Sequence, residues 1–142
     1  MPVSDGDLAH VRRAFVAFNE RYDRLGDEAE LRRYHEEFFA PDSVIENVDG
    51  FPAPGRYEGW EGYREGFGDS YGSYRDVNYR IASIEPIGDH VLALLRVSGK
   101  PPDDDVVLEL ALGILYDMRD GKIGRSRVYV GHERAREAAL SS

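Results

Sequence analysis

Few side chains in this sequence have the types and spacing that catalysis or metal binding requires. The four histidines are scattered and include no pair at the i, i+4 spacing of a helical zinc site, and there are no cysteines. The aspartates at 103–105 lack the spacing, the glycine and the closing glutamate of an EF-hand calcium loop, so they indicate a solvated loop. We therefore expect neither a metal nor a cofactor.

Two polar residues within predicted strands remain as candidates for chemistry. Asn47 lies near the end of the first predicted strand, and Arg96 interrupts a segment that is otherwise apolar on both faces. Arg96 shares strand parity with Leu92, Leu94 and Ser98. A guanidinium removed from water needs a carboxylate or several hydrogen-bond acceptors. Arg96 therefore predicts a nearby anion, from the protein or from a ligand.

The composition predicts one folded domain, residues 1–142. The formal charge of −9 and the pI near 4.9 argue against nucleic acid and anionic membranes as partners. No apolar run approaches the roughly 20 residues of a membrane span, and the first residues lack the apolar core of a signal peptide. We expect a cytoplasmic protein with no nucleic-acid or membrane partner.

Three segments show helical spacing of their apolar residues, at about 5–25, 28–39 and 59–71. The first two follow residues suited to N-capping, Ser4 or Asp5 and then Asp27. Their apolar stripes include Leu8, Val11, Phe15, Phe18, Tyr22, Leu25, Leu31, Tyr34, Phe38, Trp60, Tyr63 and Phe67.

The third helical segment is interrupted by Gly62, Gly66 and Gly68. Each glycine in a helix interior costs about 1 kcal/mol relative to alanine. The segment is therefore predicted to be a weak helix, whose aromatic residues either fill the core or line and gate a pocket.

The rest of the chain predicts strands, at 43–48, 75–81, 90–98, 106–118 and 123–130. In the segment 106–118 the even positions are apolar and the odd positions are mostly small or polar, so the even face is predicted to be the core face. The order predicts an α+β domain with its helices against one face of a mostly antiparallel sheet.

Three stretches carry a family resemblance: FFAPDSVIE, YEGWEGYREGF and LYDMRDGKIGRSRVYV. Together with the two opening helices they resemble the SnoaL-like branch of the nuclear transport factor 2-like superfamily, over about residues 8–135. The resemblance implies a cystatin-like, cone-shaped α+β fold in which a strongly bent sheet wraps an apolar pocket roofed by about three helices. Its members include polyketide cyclases, ketosteroid isomerases, limonene-epoxide hydrolases and proteins without chemistry, so the fold does not decide the function.

The resemblance also allows the catalytic positions of the family's enzymes to be compared with the residues of this sequence. The general base of the isomerases is matched here by Asn47, their oxyanion-stabilising tyrosine by Ala14 and their neutral acid by Ile114. An amide is no useful base near neutral pH. Isomerase chemistry is therefore not expected.

The epoxide hydrolases match this chain somewhat better. Asn47 and Arg96 stand where they have an asparagine and an arginine, but Ile45 replaces their tyrosine. Their two aspartates are matched by Ser98 and Val128, and the cyclase aspartate also falls in the Val128 region. Asn47 and Arg96 are thus the catalytic candidates that the resemblance leaves.

Two functional hypotheses remain open. One is an isomerase-, cyclase- or hydrolase-like enzyme that acts on a hydrophobic metabolite, such as a polyketide or terpenoid, through Asn47 and Arg96. The other is a non-catalytic ligand-binding or carrier protein. In both, the ligand can carry an anionic or carbonyl group, and the predicted substrate-binding residues are Phe15, Phe18, Tyr22, Tyr34, Trp60, Tyr63, Phe67, Ser98, Leu112, Ile114, Tyr116 and Val128.

Two further predictions concern the sheet. If Arg96 faces the pocket, a ligand anion can neutralise it; the alternatives are a helix acid such as Glu20 or Asp23, or Glu109 after a one-residue change of register. The outer face of the sheet either is solvated or forms the interface of a two-fold homodimer. That face is predicted to include Glu109, Ala111, Gly113, Leu115, Asp117, Arg125, Arg127 and Tyr129.

Overall fold

A computed structural model describes residues 2–142 and shows an α+β fold, as the sequence predicts. The helices are α1 (Asp5–Arg21), α2 (Glu28–Phe38), α3 (Gly59–Tyr71) and α4 (His132–Leu140). The strands are β1 (Phe39–Asn47), β2 (Gly55–Glu58), β3 (Arg75–Ile87), β4 (His90–Lys100), β5 (Leu108–Arg119) and β6 (Lys122–Val130). In the described part of the chain, no helix is long and apolar enough to cross a membrane.

The first two helices begin at side-chain caps. Ser4 and Asp7 form a reciprocal capping box, in which each side chain accepts a 3.1 Å hydrogen bond from the other residue's backbone N–H. The carboxylate of Asp27 accepts from the backbone N–H of Ala29 and of Glu30, at 2.9 and 3.2 Å. Satisfying these N–H groups fixes where α1 and α2 start.

The six strands form one sheet in the order β2-β1-β6-β5-β4-β3. All neighbours are antiparallel except β1 and β6, which pair in parallel with Ile45 opposite Ser126 and Asn47 opposite Val128. β2 is absent from the sequence-based prediction, because its four residues lie inside a proline- and glycine-rich loop. β2 pairs with β1 and so forms one edge of the sheet.

Both faces of the central sheet are buried. On one face, Leu112, Ile114 and Tyr116 of β5 lie in the main core with side chains of the first two helices, so the predicted even face of β5 is the core face. On the other face, Leu92, Leu94, Leu115 and Tyr129 pack with Ala135 and Ala139 of α4.

The outer face of the sheet is therefore not open to solvent across its centre, which corrects the prediction that this face exposes Gly113, Leu115 and Tyr129. Leu115 is fully buried there, and Tyr129 is 6% exposed. A Cβ atom built on Gly113 would lie 2.1 Å from the Cβ of Ala135. The glycine thus gives α4 the space to pack directly on β5, and the chain covers this face with its own last helix.

Candidate functional site

The candidate site is a pair of adjacent chambers, the inner one between the core face of the sheet and the first three helices and the outer one beside the end of α3. The inner chamber has a volume of about 100 Å³, and the outer chamber about 280 Å³. Both are lined by Pro52, Ser70, Tyr71, Tyr79 and Leu112, so these residues form the junction. Neither chamber alone reaches the roughly 300 Å³ at which pockets for drug-sized ligands begin. A ligand of that size has to occupy both.

Most of the predicted binding residues line these chambers. In the inner chamber they are Phe15, Phe18, Tyr34, Tyr63, Phe67, Leu112, Ile114, Tyr116 and Val128, and the catalytic candidate Asn47 lies there with them. Ser98 lines the outer chamber. The structure therefore brings the aromatic stripes of α1 and α3 onto one cavity with the even positions of β5.

Two predicted binding residues, Tyr22 and Trp60, lie outside the lining of both chambers. The hydroxyl of Tyr22 donates to the backbone carbonyl of Tyr71 at 3.0 Å and to that of Tyr74 at 2.8 Å. Trp60 packs against His35, with ring centroids 5.8 Å apart. Tyr22 directly follows α1, and Trp60 lies in the first turn of α3. Tyr22 therefore anchors the C-terminal end of α3, and Trp60 packs the N-terminal end of α3 against α2.

Asn47 lies in the inner chamber, where it is 8% exposed. Its Nδ2 donates a 2.6 Å hydrogen bond to the backbone carbonyl of Ala53, in the loop that follows β1. This bond orients the amide and leaves Oδ1 as an acceptor. Within residues 2–142, no aspartate, glutamate, histidine, lysine or arginine lines the inner chamber, so Asn47 has no acid or base beside it there.

Arg96 lies on the opposite face of the sheet, so the predicted orientation toward the pocket is wrong. Cross-strand partners share a face, and β4 pairs Arg96 with Ala111, Leu94 with Gly113 and Leu92 with Leu115. At Leu92, Leu94 and Arg96, the even positions of β4 therefore face the side of the sheet that carries α4. The Nε of Arg96 donates to a carboxylate oxygen of Glu109, which also accepts from Arg80 at 3.2 Å. The anion that Arg96 requires comes from the protein.

Tyrosine hydroxyls supply most of the polar character of the cavity. Burial raises the pKa of Tyr34, Tyr63, Tyr79 and Tyr116 well above its ordinary value. These phenols are therefore neutral at physiological pH and able to donate hydrogen bonds. The Tyr34 hydroxyl donates a 2.6 Å hydrogen bond to the backbone carbonyl of Ala14, so its hydrogen is not free for a ligand.

The junction between the chambers is held by Tyr71 and Tyr79, whose hydroxyls are hydrogen-bonded to each other. Asn19 of α1 fixes the backbone of Tyr79 on both sides: its Nδ2 donates to the Tyr79 carbonyl and its Oδ1 accepts from the Tyr79 N–H, each at 2.7 Å. Tyr71 closes the last turn of α3. The junction thus joins a rigidly held strand residue to the end of a glycine-rich helix.

The glycines of α3 let the helix pack closely on β2. A Cβ on Gly62 would lie 2.9 Å from the carbonyl carbon of Tyr57, and one on Gly66 would lie 3.0 Å from its ring. Tyr57 lines the inner chamber, and its hydroxyl donates to Asp69 at 3.1 Å. The glycines that lower the helix propensity of α3 thus leave space for Tyr57, which forms part of the cavity wall.

Several lining residues were absent from the sequence-based set, among them Tyr57, Tyr71, Tyr79 and Ser126. Tyr71 continues the aromatic stripe of α3 by one turn, and Ser126 shares strand parity with Val128, so both carried a usable signal. Tyr57 carries none, because its four-residue strand lies in a proline- and glycine-rich stretch and is too short to show alternation.

Comparison with known families matches residues 11–126 to the SnoaL-like domain. No curated protein matches the chain. TerC, co-crystallised with polyporic acid, has a TM-score of 0.72 at 16% identity, over 97% of this chain and 100% of that chain. A protein named as a SnoaL-like polyketide cyclase from Jannaschia sp. CCS1 has a TM-score of 0.65 at 18% identity, over 100% and 96%.

A third solved structure carries a small molecule. It is a hypothetical protein with a ketosteroid isomerase-like fold from Catenulispora acidiphila in complex with trimethylamine, with a TM-score of 0.60 at 16% identity over 70% of this chain and 74% of that chain. At these identities the likeness shows the fold. It confirms the cone-shaped architecture that the sequence resemblance implied.

Proposed function

Because the chain belongs to the SnoaL-like domain family, we propose that it binds a neutral, flat and largely apolar small molecule across the two chambers. The observation that carries this proposal is the lining of the inner chamber, where aromatic and aliphatic side chains surround a few neutral hydrogen-bonding groups. Such a lining is typical of sites for small organic molecules, in which a few polar groups set the orientation.

The charge of the ligand follows from the same lining. Along residues 2–142, no lysine, arginine or histidine lines either chamber; Glu109 lines the outer chamber, but its carboxylate is paired with Arg80 and Arg96. Burying an anion without a cation is costly. Carbonyl and hydroxyl oxygens suit the neutral tyrosines and Asn47, so we favour an uncharged oxygen over the anionic group expected from Arg96.

The binding or carrier hypothesis is therefore favoured over the enzyme hypothesis. General acid–base catalysis needs a group whose pKa lies near the working pH, and the raised pKa of the chamber tyrosines removes them from that range. TerC, whose fold this chain shares, was co-crystallised with polyporic acid, which supports an organic ligand for a chamber of this kind.

The second candidate function is an enzyme that acts on a hydrophobic metabolite, with Asn47 as the polar residue that contacts the substrate. The observation in its favour is the Oδ1 of Asn47, which is oriented by the Ala53 hydrogen bond inside the inner chamber. An oriented amide with neutral phenols nearby can hold a water molecule or a carbonyl group. Turnover of a bound polyketide or terpenoid would favour this candidate.

The predicted homodimer remains a proposal. Because α4 covers Leu115 and Tyr129, its interface would have to use other surface. Light scattering at micromolar concentration tests it, and a monomeric mass would remove it.

Binding can be tested with the neutral fluorescent probe N-phenyl-1-naphthylamine. We expect its emission to rise on binding and the rise to be lost in Leu112→Trp, because the indole would fill the junction of the chambers. Val16→Trp adds the same residue at a position that is 45% exposed on α1, and it should bind like the wild type. Thermal melts check that both variants fold.

Two results would contradict the binding proposal: no emission change with the wild type, or equal binding by Leu112→Trp. Mass spectrometry of small molecules retained on purification then identifies the natural ligand. An extracted molecule that carries a full negative charge would contradict the neutral-ligand proposal.

A further inference from the structure

A buried hydroxyl group in the wall of the inner chamber is left unsatisfied by the protein. Ser126 of β6 is 4% exposed and lines the inner chamber. Its Oγ has no hydrogen-bond partner within the part of the chain that the structure describes. Most buried side-chain polar atoms in proteins are hydrogen-bonded, so an exception needs an explanation.

The neighbours of Ser126 explain why no protein group satisfies it. Its strand partners are Tyr116 on β5 and Ile45 on β1, and all three residues line the inner chamber. An isoleucine offers no polar atom, and a tyrosine side chain carries its hydroxyl far from its own Cβ. Asn47 lies one pleat further along β1, but its Nδ2 is used by Ala53. The Ser126 hydroxyl therefore stands in an apolar wall.

The size of the inner chamber limits what can reach this hydroxyl. A cavity of about 150 Å³ in a protein core holds a benzene molecule, and the inner chamber has about 100 Å³. A single six-membered ring is thus the largest flat unit expected there, after small movements of the lining. The rest of a larger ligand would extend past the Tyr71–Tyr79 junction into the outer chamber.

We propose that Ser126 is a specificity-determining residue, whose hydroxyl hydrogen-bonds a neutral oxygen attached to the ring that enters the inner chamber. A serine hydroxyl both donates and accepts, so a phenolic hydroxyl and a ring carbonyl fit equally. This inference rests on the proposed binding function and deepens it, because it selects oxygen-bearing rings over hydrocarbon rings of the same shape.

Phenol and toluene provide a matched pair of probes, since they differ by a hydroxyl in place of a methyl group. Calorimetric titration gives the dissociation constant of each for the wild type, Ser126→Ala and Ser126→Thr. We expect Ser126→Ala to weaken phenol binding about three- to tenfold, the usual effect of one neutral hydrogen bond. Toluene binding should change less than twofold, and Ser126→Thr should keep the preference for phenol.

Stability of the free protein is a second readout. Replacing an unsatisfied buried hydroxyl by a hydrogen atom removes a desolvation cost, so the melting temperature of Ser126→Ala should equal or exceed that of the wild type. Ser83→Ala is the control, because this serine lies outside both chambers and bonds Glu85 at 3.2 Å. It should leave the phenol-to-toluene ratio unchanged.

The outcomes separate this inference from the proposed function. If N-phenyl-1-naphthylamine binds but the phenol-to-toluene ratio is the same in the wild type and Ser126→Ala, the role of Ser126 is wrong and the binding function stands. Equal weakening of both probes would mean that Ser126 only shapes the wall, and failure of the wild type to bind either probe would likewise remove its role. If no neutral probe of any size binds, both proposals fall.

Discussion

Arg96 and Glu109 form an ion pair across β4 and β5, on the face of the sheet that carries α4. Glu109 also pairs with Arg80 at 3.2 Å, and hydrogen bonding from Arg96 lowers the pKa of its carboxyl group. Arg96 itself is absent from the lining of both chambers. The guanidinium that looked most suited to ligand chemistry therefore belongs to a surface network.

Arg96→Met should leave ligand binding unchanged, because its side chain does not reach either chamber. Its effect on stability should be small, since exposed ion pairs contribute little. Fluorescence titration with N-phenyl-1-naphthylamine and a thermal melt check both expectations. A several-fold loss of probe affinity in a folded Arg96→Met protein would show that Arg96 contacts the ligand after all.

The orientation of Arg96 could not be predicted from sequence for a physical reason. Alternation identifies the core face of a strand when one face is polar, as it does for β5. β4 is a central strand whose odd positions face the cavity side and whose even positions Leu92 and Leu94 are buried under α4. Both faces of β4 are apolar, so the alternation of its residues does not show which face points toward the cavity.

The first three helices and much of the cavity were predictable. Phe15, Phe18, Tyr63 and Phe67 follow amphipathic stripes, and a stripe must face the core. Tyr57 was not predictable, because a strand of four residues in a loop has too few positions to show alternation. The surroundings of Ser126 also depend on which strand lies beside β6. No local sequence pattern indicates that β6 pairs in parallel with β1, because the two strands are far apart in the chain.

His35 should make stability depend on pH between about 6.5 and about 4. Burial lowers the pKa of its imidazole in the folded protein from 6.5 to about 4. In this window the unfolded chain binds the proton and the folded chain does not, so the free energy of unfolding rises with pH. The contribution is present above pH 6.5 and is lost as pH falls, by about 3 kcal/mol at most.

The check is urea unfolding at several pH values for the wild type and His35→Phe. The variant keeps an aromatic ring against Phe39, whose centroid is 5.5 Å from that of His35, but it cannot titrate. We expect a smaller pH slope in the variant across the window. An identical slope in both proteins would mean that carboxylates alone cause the acid sensitivity.

The glycines of α3 should respond in opposite directions to alanine. Gly68→Ala should stabilise the fold by up to about 1 kcal/mol, because a Cβ there meets nothing within 4 Å. Gly62→Ala should destabilise it by about 1–3 kcal/mol, because the new methyl group would lie 2.9 Å from the Tyr57 backbone. Chemical denaturation measures both, and a stabilised Gly62→Ala would contradict the close packing of α3 on β2.

Gly113→Ala should loosen α4 from the sheet. The added Cβ would lie only 2.1 Å from the methyl carbon of Ala135. The two groups would overlap, so the helix must move. We expect a loss of about 1–3 kcal/mol and faster hydrogen exchange in α4. Gly124→Ala is the matched control on β6, where a Cβ meets nothing closer than 3.4 Å. Equal stability of the two variants would argue against direct packing of α4 on Gly113.

The parallel pairing of β1 with β6 delays the closure of this sheet during synthesis on the ribosome. The partners Ile45 and Ser126 are far apart in the chain, and contacts of large sequence separation slow folding. The hairpin of β1 and β2 is synthesised early, yet its other neighbour in the sheet is the last strand to emerge. A nascent chain that ends before β6 lacks the Ser126 wall, so a ligand that contacts this wall can bind only after β6 has been synthesised.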